Sequence, residues 1–307
     1  MRKFRLALGI VILLCTGGTP HLFSTGMPLG EHLYISPPDA LDDLISARLA
    51  GGLIMVRAQL NGIEGNYILD TGASHLFINQ DLVTDKAVEA YGLGAQVAVE
   101  KGIVARFEIG QAVFENQALY KMDMRHLEAI KGCRIAGIIG TNLLKDFSLF
   151  VDYNKGLVRL EKSSTTSRAI PKKSLRDFPL TWQGHFPMLS VLVNEVEYAF
   201  AIDTGAEANI FSGNFEKALT AHTHDLKAGK VWSIAESSTA VRNFTLTEME
   251  CMGLNYTALG FMFSDLEALN DAYSVALDGI LGYPFLRRHP FTLDFTAERL
   301  IIWEEGY

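Results

Sequence analysis

Alternating apolar and polar positions mark two stretches of the chain that resemble each other. In the first, residues 53–60 alternate as in a strand, Asn61-Gly62 is a strong turn signal, and residues 66–69 form a returning strand. The second stretch has the same three parts, a strand, a turn and a returning strand, at 187–193, Asn194-Glu195 and 197–202. The pattern therefore predicts a β-hairpin in each stretch.

Both hairpins lead into the same short motif, "YILDTGAS" at 67–74 and "FAIDTGAE" at 200–207. The repeat continues downstream, because "AGIIGTNLL" at 136–144 resembles "DGILGYPFL" at 278–286. An apolar strand containing an Asp follows each of these, at 149–160 and 291–302. Internal repeats decide the architecture, so we predict two copies of a mainly β unit, each of about 110–120 residues.

This duplication gives the predicted division of the chain. Residues 161–178 are rich in Ser, Thr and Lys without apolar periodicity, which is typical of a linker. A short helix is predicted at about residues 40–49, ended by Gly51-Gly52. The predicted segments are a leader, a lead-in, an N-terminal lobe, a linker and a C-terminal lobe, at 1–26, 27–50, 51–162, 163–184 and 185–307.

The first residues have the composition of a secretory signal peptide. Three basic residues precede the apolar run 6–14, and small residues follow it. We therefore expect an exported protein, periplasmic or secreted. Cys15 stands where a lipoprotein carries its lipidated cysteine, although Leu14 departs from that pattern, so attachment to a membrane through Cys15 stays open. A buried N-terminal strand is the other interpretation of this run.

Charge and cysteine content narrow the partners. The chain of 307 residues has a formal net charge of −8 and no basic block after its first five residues, which argues against nucleic acid. The remaining cysteines, Cys133 and Cys251, lie in no CxxC motif, and the sequence leaves their pairing open.

The duplicated acidic turn suggests a specific chemistry. A carboxylate at the end of a strand, followed by Gly, is presented on a rigid support, and two such units can bring Asp70 and Asp203 together. Two carboxylates in close contact cannot both ionise at neutral pH, so they share one proton. One can then activate a water as general base while the other donates a proton to a substrate carbonyl. This chemistry requires no metal and no cofactor, and we predict none.

The motifs "LDTGAS", "IDTGAE", "GIIGTNLL" and "GILGYPFL" resemble those of retropepsin-like aspartic proteases. The resemblance implies two β-barrel lobes related by a pseudo-two-fold axis, with the active site in the cleft between them. It implies an aspartic endopeptidase with Asp70 and Asp203 as the catalytic pair. The residues implied to support the active-site turns are Thr71, Gly72, Ala73, Thr204, Gly205 and Ala206.

The same resemblance implies the partners of the protein. An extended peptide or protein would bind in the cleft by main-chain hydrogen bonds, with Ser74 and Glu207 as candidate substrate-binding residues. An ordinary solvated side chain is an equal interpretation of Glu207. His75 is expected at the surface or the cleft rim, since this chemistry does not use histidine. Because both lobes lie in one chain, we expect a monomer. A catalytically silent peptide-binding or scaffolding protein with the same fold is the alternative.

Two departures from the family pattern add expectations. Ala73 and Ala206 replace the hydroxyl residue of pepsin-like enzymes, which should raise the pKa of the carboxyl pair and move the optimum to mildly acidic or neutral pH. The flap hairpins are predicted at 96–110, turning at Lys101-Gly102, and at 230–246, turning near Glu236-Ser238. Each of these two hairpins could equally lie in the core or at a sheet edge. A separate hypothesis is that residues 27–50 block the cleft as a propeptide.

Overall fold

The chain forms mainly β-strands, which confirms the predicted fold class. The computed structural model describes residues 6–7, 12–14, 44–45, 47–79, 86–92, 95–162, 174–233 and 238–304. The strands of the first half, in chain order, are β1 (Leu6–Ala7), β2 (Ile12–Leu14), β3 (Leu44–Ile45), β4 (Ala47–Ala50), β5 (Leu53–Leu60), β6 (Ile63–Leu69), β7 (Leu76–Ile78), β8 (Lys86–Gly92), β9 (Ala95–Ile109), β10 (Ala112–Lys121), β11 (Gly137–Ile139), β12 (Phe147–Asp152) and β13 (Leu157–Lys162).

The second half has the same character, with few and short helices. Its strands are β14 (Ser174–Pro179), β15 (Thr181–Gln183), β16 (Phe186–Val193), β17 (Val196–Ile202), β18 (Asn209–Ser212), β19 (Thr223–Ser233), β20 (Ser238–Cys251), β21 (Leu254–Ser264), β22 (Gly279–Leu281), β23 (Phe291–Asp294) and β24 (Arg299–Trp303). The α-helices among the described residues are α1 (Arg125–Lys131), α2 (Thr141–Leu144), α3 (Glu216–Leu219), α4 (Glu267–Tyr273) and α5 (Tyr283–Leu286), with 3₁₀ turns at Gly213–Phe215 and Thr220–His222.

Two sheets repeat one strand order. The first runs β4-β5-β6-β11-β7-β10-β9-β8 and the second runs β15-β16-β17-β22-β18-β21-β20-β19. An additional pairing of β5 with β9 closes six strands into an N-terminal barrel, and β16 with β20 closes a C-terminal barrel in the same way. The leader strand β1 extends the first sheet beside β8, and β2 extends the second beside β19.

A third sheet joins the two barrels. Its order is β14-β24-β23-β12-β13-β3, and β12 pairs with β23 at its centre. The segments 149–160 and 291–302, each predicted as one strand, are hairpins. Their Asp residues start the turns, because Asp152 Oδ1 accepts hydrogen bonds from the backbone N–H groups two and three residues later, and Asp294 Oδ1 does the same.

The two predicted hairpins before the acidic turns are present as β5–β6 and β16–β17. Asn61 and Gly62 both have positive φ (49° and 81°), and Asn194 and Glu195 also do (49° and 64°). Two left-handed residues are the requirement of the type I′ turn, whose twist matches that of paired strands. The turn residues recognised in the sequence are therefore those that adopt the left-handed conformation in these two hairpins.

The predicted helix at 40–49 is wrong, because this segment contains β3 and β4. The cause lies in Gly51 and Gly52, which have φ of 62° and 98° and turn the chain back so that β4 pairs with β5. The glycines start a hairpin and do not end a helix. Within the predicted linker, 174–179 and 181–183 form β14 and β15, whereas 163–173 lie outside the described residues.

The first flap prediction is also wrong. Lys101 and Gly102 lie inside the unbroken strand β9, where Gly102 pairs with Leu119 and Lys101 pairs with both Tyr120 and Lys86. Gly102 is paired with β10 inside a continuous strand, so it forms no turn. The paired strands here are instead β8 and β9. The counterpart pair is β19 and β20, and most of its predicted turn near Glu236-Ser238 lies outside the described residues.

Aromatic side chains fill much of the core. The largest fully buried side chains are Tyr67, Phe77, Phe107, Phe186, Phe200, Phe211, Phe244, Phe261 and Phe291. Cys133 and Cys251 are both free thiols, and Cys15 lies outside the described residues. Within the described part of the chain, no helix has the length and apolar character needed to cross a membrane.

Candidate active site

Asp70 and Asp203 lie directly after β6 and β17, at equivalent places in the two barrels. The N–H of Asp70 donates to the carbonyl of Ile139 at 3.0 Å, and the N–H of Asp203 donates to the carbonyl of Leu281 at 3.0 Å. The motifs Gly-Ile-Ile-Gly and Gly-Ile-Leu-Gly therefore anchor the start of each acidic turn. Both aspartate side chains are fully buried.

The threonines of the two motifs join the barrels by reciprocal hydrogen bonds. The N–H of Thr71 donates to Thr204 Oγ1 (3.1 Å), and the N–H of Thr204 donates to Thr71 Oγ1 (3.0 Å). Each hydroxyl also donates to a carbonyl of the opposite barrel, Thr71 to Ile202 (2.9 Å) and Thr204 to Leu69 (2.8 Å). These four buried bonds fix the two acidic turns against each other.

One oxygen of each carboxyl group is held by the backbone. Asp70 Oδ1 accepts hydrogen bonds from the N–H groups of Gly72 (2.8 Å) and Ala73 (2.9 Å), and Asp203 Oδ1 accepts one from Gly205 (2.7 Å). The Oδ2 atoms of both aspartates are buried without a donor among the described residues. The two carboxyl groups lie close enough to alter each other's pKa, and a hydrogen bond between them requires a proton on one of them.

Gly72 and Gly205 each lie against the aspartate of the opposite barrel. A Cβ atom built on Gly72 would lie 2.4 Å from Asp203 Oδ2, and one built on Gly205 would lie 2.3 Å from Asp70 Cγ. These distances are well inside van der Waals contact. The glycine of each motif therefore makes room for the opposite carboxyl group.

Ala73 and Ala206 connect the acidic turns to the second glycine motifs. Their carbonyl groups accept hydrogen bonds from the N–H groups of Thr141 (2.9 Å) and Tyr283 (2.8 Å). Both alanine side chains are fully buried. Because alanine has no hydroxyl, this position offers no side-chain donor to the carboxyl pair. The expected rise in the pKa of the pair agrees in direction with that of both aspartates, for which burial is the largest cause.

Burial is the largest cause of the altered titration of both aspartates. It raises the pKa of Asp70 from 3.8 to about 6, against the opposing effect of its hydrogen bonds with Asp203, Gly72 and Ala73. Burial and the negative charge of Asp70 raise the pKa of Asp203 well above its ordinary value. Because two interacting carboxyl groups titrate as a unit, these directions predict a singly ionised pair at neutral pH.

The raised pKa predicts a pH-dependent stability difference. The folded chain keeps the Asp70 proton up to about pH 6, while the unfolded chain releases it near 3.8, so this contribution to stability is lost as pH rises through about 6. The variant Asp70→Asn/Asp203→Asn has no charge there. Relative to the parent, it should gain about 2–3 kcal/mol in the free energy of unfolding between pH 4 and 7 because the Asp70 titration is lost, and a further gain should follow because the Asp203 titration is lost as well. Urea unfolding at both pH values tests this, and an equal difference at the two would contradict it.

The two candidate substrate-binding residues have different surroundings. The buried carboxylate of Glu207 forms an ion pair with Lys131, the last residue of α1, which belongs to the N-terminal half. Ser74 is half-buried, and its hydroxyl contacts His75 Nδ1 at 2.8 Å. The structure therefore places Glu207 in a contact between the two halves, whereas Ser74 stays beside His75.

Sequence reasoning missed three residues of this region: Lys131, which pairs with Glu207, and Tyr153 and His185, which lie near the acidic turns. His185 Nε2 lies 2.9 Å from the carbonyl oxygen of Gly72, across the two halves. The buried hydroxyl of Tyr153 lies near enough to Asp203 for their charges to interact. A closer comparison of the repeats could have found His185, because it precedes Asp203 by the same eighteen positions as Gly52 precedes Asp70.

Comparison with known proteins agrees with this geometry. Residues 56–143 match the model of a family described as aspartyl protease, and this range contains Asp70 and the first Gly-Ile-Ile-Gly motif. Over these residues the chain is similar to the aspartyl proteases, which confirms the predicted resemblance to the retropepsin-like family. The activity that this family suggests is that of a peptidase. A search of curated proteins found no match to the chain.

Proposed function

We propose that the protein is an aspartic endopeptidase in which Asp70 and Asp203 share one proton. The observation that carries the proposal is the pair of fully buried, mutually interacting carboxyl groups, whose Oδ2 atoms have no donor among the described residues. One carboxylate activates a water as general base, and the other carboxylic acid protonates the substrate carbonyl. No metal or cofactor takes part in this proposed mechanism.

Extended peptides or proteins are the proposed substrates, bound between the two barrels by main-chain hydrogen bonds. Both carboxyl groups are fully buried, so the protein must open around them before a peptide can reach them.

We also propose export to the periplasm or the exterior, with Cys15 as the only proposed point of membrane attachment. The protein acts as a monomer in this proposal, because one chain supplies both aspartates.

The pH dependence of cleavage is the first expected result. The singly ionised pair is the active form, and the pKa of Asp70 is raised to about 6, so activity should rise to a maximum between mildly acidic and neutral pH. The purified full chain is incubated with an unbiased peptide library from pH 3 to 8, and products are identified by mass spectrometry. A maximum below about pH 3, as in pepsin-type pairs, would contradict the proposed environment.

The same library separates the enzyme from its alternative. If the chain cuts no peptide at any pH while peptides still bind, the silent peptide-binding protein becomes the better hypothesis. A second sample that lacks residues 27–50 tests whether this segment inhibits the enzyme. Activity that appears only after its removal would assign it a propeptide role.

A further inference from the structure

The acidic turns of the two barrels are supported differently by the residues that precede β5 and β16. His185 occupies this position in the C-terminal half, and Gly52 occupies it in the N-terminal half. The His185 side chain reaches the Gly72 carbonyl, whereas Gly52 has no side chain and packs against the Tyr283 ring. At this position of the repeat, a histidine therefore contacts the turn that carries Asp70, and glycine offers no side chain to the turn that carries Asp203.

The contact fixes the tautomer of His185. A carbonyl oxygen only accepts hydrogen bonds, so the ring nitrogen Nε2 must carry the proton that it donates to Gly72. Burial lowers the pKa of His185 to about 4, so the ring is neutral at the pH values at which the pair is singly ionised. The rings of Phe186 (centroids 3.9 Å apart) and Tyr273 (5.7 Å) hold its orientation.

One peptide group connects the hydrogen bond of His185 with a hydrogen bond to the Asp70 carboxylate. The Gly72 carbonyl that accepts from His185 belongs to the same peptide as the Ala73 N–H, which donates to Asp70 Oδ1 at 2.9 Å. Hydrogen bonds in a chain polarise one another, so the first bond strengthens the second. A stronger donor at Oδ1 favours the ionised form of Asp70.

We propose that His185 is a positioning residue that makes Asp70 the ionised member of the pair and leaves the shared proton on Asp203. Asp70 then acts as the general base and Asp203 as the acid. This inference rests on the proposed peptidase function and deepens it, because it assigns separate roles to two residues that the sequence repeat makes equivalent.

Other titratable groups lie near this contact, and their effects on the pH profile must be distinguished from the effect of His185. His75 interacts with His185, and Lys101 on β9 interacts with His75. The hydroxyl of Tyr273 on α4 belongs to the ring that packs on His185, and Tyr153 lies near Asp203. His75 contacts Ser74 in place of Gly72, which makes it the matched control.

The test follows kcat against pH for the full-length parent and three variants. His185→Phe keeps an aromatic ring but removes the hydrogen-bond donor. The acid limb of the profile should therefore move to higher pH by about half a unit, and kcat at pH values below the limb should be about threefold lower than in the parent. His185→Gln offers an amide N–H at the Nε2 position and should restore the parent limb. His75→Phe should leave the limb at the parent pH. A limb that moves equally in His75→Phe and His185→Phe would overturn the proposal.

A second measurement tests the inference without substitution, in case His185→Phe does not fold. Nitrogen-15 NMR of the parent at pH 7 should find the His185 proton on Nε2, and a proton on Nδ1 would overturn the proposal.

Asp70→Asn and Asp203→Asn separate a failure of the proposed peptidase function from a failure of the proposed role of His185. If they remain active, the peptidase mechanism itself fails. If they are inactive while His185→Phe keeps the parent acid limb, only the role of His185 is wrong.

Discussion

Asp70→Asn and Asp203→Asn are each expected to lower kcat by on the order of 10³-fold or more, because each removes one of the two proton-transfer groups. The substitutions change the structure little, since an asparagine Oδ1 can still accept the backbone N–H bonds from Gly72 or Gly205. Its amide can donate to the remaining carboxylate. The expected loss is therefore chemical, and peptide cleavage at pH 6 measures it.

The double variant sharpens this expectation. Groups that act as a unit have strongly non-additive effects, so Asp70→Asn/Asp203→Asn should be about as inactive as either single variant. Thermal unfolding of all three should show a folded protein. A single variant that is folded and keeps more than about a tenth of the parent kcat would contradict a shared-proton mechanism.

Two features of the sequence made the fold and the acidic pair predictable. The turn signals at Asn61-Gly62 and Asn194-Glu195 fixed the hairpins locally, and the structure shows both in the left-handed conformation that such turns need. The repeat of Asp-Thr-Gly-Ala then placed Asp70 and Asp203 at equivalent strand ends. Local chemistry and repetition were sufficient for these parts.

The errors arose where tertiary contacts decide between local alternatives. Gly51-Gly52 fits both the end of a helix and a hairpin turn, and only the pairing of β4 with β5 selects the turn. Gly102 is a turn signal by composition, but its pairing with Leu119 of β10 holds it inside the continuous strand β9. His185 and Lys131 contact residues of the opposite half. The register of the repeat marks the position of His185, but no local pattern in the sequence predicts either contact.

Thr204→Val is expected to lower the free energy of unfolding by about 2–6 kcal/mol, because it leaves two buried backbone groups without partners. The hydroxyl of Thr204 accepts from the Thr71 N–H and donates to the Leu69 carbonyl, so both of these groups lose a hydrogen bond. Thr71→Val should have a similar effect through the Thr204 N–H and the Ile202 carbonyl. Urea unfolding at pH 6 provides the measurement.

Thr204→Ser and Thr71→Ser are the matched controls, because serine keeps the hydroxyl and loses only a methyl group. Burial of one such group is worth about 1 kcal/mol, so the serine variants should stay close to the parent. The valine variants should also lose activity before they unfold, since these bonds hold the two acidic turns, and therefore the two carboxyl groups, in register. Equal stability of the valine and serine variants would show that packing, and not the hydroxyl network, joins the two barrels.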